Sequence, residues 1–189
     1  MRLTTVSLAL GLLVLTACSS TERPLFIQTN LSAPESLNMH STQFQWQVQD
    51  QRNRAYVLTI VKGDEQRTVL NKLDVPGSLQ QQLAQLFTLH GARIDPQAAI
   101  SLWFKVHELH AQAQQHPLDH EVHSAIEIEL NIDSSTGIYR KRFQGTSSYT
   151  APFKVDHAMV ERELRRITEQ VITDILNDHH WQDYLRSHQ

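Results

Sequence analysis

The sequence is poor in the residues that most chemistries lean on. It has a single cysteine, Cys18, so no disulfide can brace the chain from within. Its six glycines form neither G-x-x-x-x-G-K-[ST] nor G-x-G-x-x-G, the loops that cradle phosphates. The strained G-x-S-x-G turn of serine nucleophiles is missing, and so is the H-E-x-x-H zinc helix. No apolar run reaches the ~20 residues that span a bilayer. With 17 Lys+Arg against 20 Asp+Glu and a net charge of −3, the basic balance of a nucleic-acid-binding domain is also lacking. What is present is a 40% hydrophobic, 20% charged chain of 189 residues, enough for one domain with a proper core.

The start of the chain is more specific. Met1-Arg2 carries one positive charge, and Leu3 to Leu15 is apolar apart from Thr4, Thr5, Ser7 and Gly11. This is the pattern of a secretory signal peptide over residues 1–17. It ends Leu15-Thr16-Ala17-Cys18, which resembles the lipobox of bacterial lipoproteins. That resemblance implies a diacylglycerol on the Cys18 thiol and a third acyl chain, such as palmitate, on the freed amine. Each buried CH₂ contributes about 0.8 kcal/mol, so several chains hold where one is marginal. Gram-negative lipoproteins retained in the inner membrane usually carry Asp after the cysteine. Ser19 stands here, which implies the outer membrane, periplasmic side. Loss of Arg2 with the leader moves the net charge to −4, so overall charge gives no attraction to an anionic leaflet.

Residues 18–42 are rich in Ser, Thr, Asn and Pro, and Pro24 and Pro34 argue against a helix. They are expected to form a flexible tether, with a first strand near Leu25–Thr29 as the alternative. The domain, 43–189, opens with alternation: Phe44, Trp46 and Val48 on one face, Gln43, Gln45, Gln47 and Gln49 on the other. Tyr56 to Lys62 is apolar on both faces and reads as a central strand, followed by an extended connection from Leu70 to Val75. Pro76-Gly77-Ser78 opens a helix with Ser78 and Gln81 as a capping pair, striped by Leu79, Leu83, Leu86 and Phe87 and stopped at Gly91. Strands follow from Ala98 to about His110, Val122 to Ile132 and Ile138 to about Tyr149. A loop over Ser134–Gly137 would set Glu129 opposite Arg142 and Asn131 opposite Arg140. Asp156 caps a long helix to about Asn177, and the tail offers Trp181, Tyr184 and Leu185 for docking. The order β-β-α-β-β-β-α predicts an α+β fold: a mostly antiparallel sheet with helices on one face.

With the lipobox, this order resembles the YajG-like family of bacterial lipoproteins. The resemblance is carried by Asp50-Gln51-Arg52 ending the first strand, Leu79, Leu83, Leu86 and Gly91 in the helix, and the strand Ile100 to Leu109. Ile126 to Leu130, Tyr149 and Thr173-Asp174-Ile175-Leu176 carry it further. It implies a soluble domain on a lipid anchor, no known enzymatic activity, no cofactor and no settled molecular role.

The residues themselves offer little chemistry. Glu127 and Glu129 read as solvated ladder charges opposite Arg142 rather than a catalytic pair, and no enzyme is expected. Five histidines (His107, His110, His116, His120, His123) crowd 17 residues and allow an alternative reading as a metal-binding or buffering module. Strand periodicity sets the rings of His107 and His110 on opposite faces, which argues against it. The outer face of the third strand carries Trp103, Lys105 and His107. It is a candidate surface for an envelope protein partner, unless the last helix or the tail covers it.

Overall fold

The computed structural model describes residues 23–189; the expected leader and Cys18 lie outside them. Seven strands and three helices make one α+β unit: β1 (Gln43–Asp50), β2 (Tyr56–Lys62), β3 (Glu65–Leu70), α1 (Val75–Leu89), β4 (Arg93–Ile94), β5 (Ser101–Gln115), β6 (Asp119–Ser134), β7 (Gly137–Pro152), α2 (His157–Asn177) and α3 (His179–Ser187). The predicted order is approximately kept, with β3, β4 and α3 added. β3 escapes pattern reading because Glu65, Gln66, Arg67 and Thr68 are all exposed and only Val69 is buried. Its signal is the Gly63-Asp64 turn, where Gly63 takes φ +57° and lets the chain reverse in two residues.

The sheet is mixed. β5, β6 and β7 form a long antiparallel meander, and β2–β3 is antiparallel. β1 and β2 lie end to end along the other edge of β5, both parallel to it: Gln45–Asp50 beside Ser101–Val106, then Leu58–Val61 beside Ala111–Gln114. A strand of fifteen residues can carry two short partners in series, and β2, with β3 on its other side, is the central strand its apolar faces predict. The β6–β7 register is the one the charges favour, with Glu129 opposite Arg142, Asn131 opposite Arg140 and a turn at Ser135-Thr136.

All three helices pack on one face. Trp46, Phe87 and Phe104 meet edge to face at 4.9–6.4 Å, joining β1, α1 and β5. α1 begins one turn earlier than expected: Asp74, not Ser78, is the N-cap, accepting from the Gly77 amide at 3.2 Å, with Pro76 in the first turn. Gly91 at φ +95° does stop it. α2 is capped by Asp156, which accepts from Ala158 N. It lies close to β7 because Gly145 has no side chain; a Cβ there would stand 2.7 Å from Val171 Cγ2. α3 docks through Trp181 and Leu185, both fully buried, and the Trp181 indole donates to Ile175 O.

The expected tether is the main correction. Residues 23–42 form a strap across the helical layer, with Leu25, Ile27, Leu37 and Met39 inside the core. Leu25, Ile27 and Thr29 point in while Phe26, Gln28 and Asn30 point out, so the segment is extended, yet it makes only a one-residue parallel bridge, Leu25 to Asn71. Side chains of the helices replace a ladder. Glu161 and Glu169 of α2 accept from Phe26 N and Asn30 N at 2.9 and 2.8 Å, and Gln82 of α1 accepts from Leu31 N at 3.1 Å. Pro24 and Pro34 exclude a helix there, but not this path.

Candidate functional site

Because the helices share one face, the other face of the β5–β6–β7 meander has no element over it among the described residues. Neither α3 nor the tail covers Trp103. Trp103, Lys105 and His107 project from β5, Glu127, Glu129 and Asn131 from β6, and Arg140, Arg142 and Gln144 from β7.

Glu129 is the hub. It accepts from Asn131 Nδ2 at 2.9 Å and from Arg142 Nε at 2.9 Å, and lies 4.0 Å from Lys105 Nζ. The Asn131 hydrogen bond, then Arg142, holds its carboxyl below the usual carboxylate range against the opposing effect of burial. Glu127 binds Arg142 Nη1 at 3.0 Å and Gln144 Nε2 at 2.6 Å. The expected ladder charges are therefore paired. Lys105 lies over the Trp103 ring at 5.6 Å. His107 is less settled: its Nε2 is buried, 3.8 Å from Glu129, and makes no hydrogen bond.

The histidine cluster does not assemble. A bulge between Val106 and Glu108 gives β5 one extra residue. It overturns the period-two argument: His107 and His110 open on the same side, into a cleft of about 210 Å³ shared with Arg52, Arg54, Glu108 and Glu127. His110 is buried there, 2.9 Å from Thr59 Oγ1, and burial with Arg54 nearby lowers its pKa to about 4. His120 is buried on the helical face against Tyr149, and His123 pairs with exposed Glu121. Among the described residues, no three His, Cys, Asp or Glu side chains converge to hold a metal ion.

A family model described as an uncharacterized lipoprotein matches residues 29–186, from the strap through α3. The chain belongs to that lipoprotein family. This agrees with the YajG-like resemblance read from the sequence. No curated protein matches the chain. Among solved structures, it is similar to protein XCC0632 from Xanthomonas campestris, at 12% identity and TM-score 0.57, covering 87% of this chain and 97% of that one. It is also similar to a minor lipoprotein from Acinetobacter baumannii, at 16% identity and TM-score 0.31, covering 71% and 91%. At such identities the likeness to the Xanthomonas protein shows the fold.

No helix among the described residues is long and apolar enough to cross a membrane. Membership in a lipoprotein family points to a membrane-anchored envelope protein.

Proposed function

We propose that this lipoprotein is acylated at Cys18, is held on the periplasmic side of the outer membrane, and serves without enzymatic activity as a binding or accessory module for another envelope component. The observation that carries the binding role is the uncovered sheet face. Trp103 is fixed under Lys105, and the surrounding charges are already paired. An aromatic anchor with its polar neighbours preorganised loses little freedom on binding. Among the described residues β7 pairs with β6 alone, and its other edge offers strand addition as a second mode of contact. The alternative, metal buffering by His107 to His123, draws no support from rings spread over both faces and a turn.

In-cell crosslinking of the tagged full-length chain tests this, with captured proteins identified by mass. One envelope protein should be captured by the wild type, and its yield should fall several-fold with Trp103→Ala and with Cys18→Ala. An unchanged capture profile for Trp103→Ala would remove the sheet face from the proposal.

A further inference from the structure

The strap alters the geometry of anchoring. Its first described residue, Arg23, is pinned to the start of α2, where the His157 Nδ1–H donates to Arg23 O at 3.0 Å. Cys18 is five residues upstream, so an acyl group on it stands at most about 18 Å away along the chain. A domain on so short a lead has one end permanently within reach of the bilayer.

That end has an unusual surface. The β5–β6 turn and the β7–α2 loop meet there, with Phe153 N donating to Leu118 O at 2.8 Å. Leu118 and Phe153 are 81% and 77% exposed. Phe153 also takes φ +67°, a left-handed posture that costs a bulky residue energy and persists only where neighbours impose it. Gln115 imposes it. Its Nε2 donates to the carbonyls of His116, Asp119 and Phe153 at 2.9–3.0 Å, and its Oε1 accepts from Val155 N. Behind the two apolar tips is a cleft of about 820 Å³ whose lining, among the described residues, includes Lys62, Lys154 and His116 and no carboxylate. Among the described residues, Glu65, across from Lys62 on β3, Asp119 at the start of β6 and Asp156 at the helix cap are the nearby acids by position in the fold, and Glu22 precedes Arg23 in the sequence. Thus a chain that is acidic overall presents cations at the end where its own lead emerges.

We propose that this end of the domain docks on the anionic phospholipid surface that holds the acylated Cys18, with Phe153 and Leu118 entering the headgroup layer and Lys62 and Lys154 facing its phosphates. The inference rests on the lipid-anchor reading above. Acyl chains and a basic patch are the two signals that together give stable membrane attachment, and each cation near an anionic surface contributes about fivefold in partitioning. Trp103 lies twelve residues back along β5 from Gln115, about 40 Å at 3.3 Å per residue, so the open sheet face is held away from the lipid.

The test uses the full acylated chain in vesicles of phosphatidylethanolamine and phosphatidylglycerol with brominated acyl chains. A bimane probe is attached at Phe153→Cys, at Leu118→Cys and, as a control, at Ser135→Cys in the distal β6–β7 turn. A side chain about 5–10 Å into the interface should lose about half its fluorescence or more at 153 and 118, with no loss at 135. Reversing Lys62 and Lys154 to Glu together should restore the emission at 118. Equal emission at all three sites from acylated, vesicle-bound protein would overturn the docking while leaving the anchor intact. A mass showing an unmodified Cys18 would overturn the anchor, and the docking with it.

Discussion

Leu25→Ala separates a strap from a tether. In a tether the side chain touches water, and its truncation shifts stability by no more than about 0.5 kcal/mol. In the structure Leu25 is fully buried, bridged to Asn71 and flanked inward by Ile27. Truncation there loses the transfer energy of the removed methyls and leaves a cavity, about 3 kcal/mol within the 2–5 kcal/mol range of such changes. For a domain of this size that lowers the melting midpoint by about 6–12 °C. Gln28→Ala, three residues on and exposed, is the matched control and should leave the midpoint in place. Thermal unfolding followed by tryptophan fluorescence reads the difference, since Trp46 and Trp181 are both buried in the layer the strap covers. Hydrogen exchange adds a local reading: the Phe26 and Asn30 amides, held by Glu161 and Glu169, should lose protection in Leu25→Ala. Equal midpoints for the two variants would refute the strap.

Other outcomes follow from the same packing. His110 binds a proton at about 4 in the fold and near 6.5 when unfolded, so stability is complete above pH 6.5 and declines as pH falls toward 4, by about 2–3 kcal/mol. His110→Gln should flatten urea-denaturation stability across that window. Gly145→Ala pushes a methyl to 2.7 Å from Val171 and 3.2 Å from Ile126, and overpacking of this kind should cost about 1–3 kcal/mol in the same assay. Glu129→Gln removes the hub charge shared by Arg142, Asn131 and Lys105 and should cost about 1–2 kcal/mol at neutral pH. That difference should shrink as pH falls through the lowered Glu129 pKa, because wild type and variant then carry the same charge.

The parts of the fold legible in the sequence are those governed by local periodicity. The stripe Val160, Leu164, Ile167, Val171 and Ile175 defines α2, and the charge pair Glu129–Arg142, with Asn131 opposite Arg140, marks the β6–β7 register. What escaped is set by partners far away in the chain. Nothing near Leu25 announces that Glu161 and Glu169 will take up its neighbours' amides. Nothing in Tyr56 to Lys62 says that it continues the line of β1 along β5. The bulge at His107 shows the limit most sharply, because one extra residue inverts every facing downstream of it. As for the site, Trp103 and Lys105 were readable as an outer face, whereas the tip at Leu118 and Phe153 needed the two loops brought together by Gln115.

The strap also imposes a timetable. Synthesis delivers Arg23 early and α3 last, yet the strap's partners are mostly late ones: Glu161 lies 135 residues beyond Phe26, and Arg186 reaches back 148 residues to Asn38 O. Gln189 does the same for the Gln43 amide across 146 residues. Until those closing segments exist, Leu25 and Ile27 have no groove to enter, and the loop-closure cost falls on the end of folding. An emerging chain therefore stays open until its final helices are made. On the proposed lipoprotein reading, that delay keeps the chain threadable through a translocation channel.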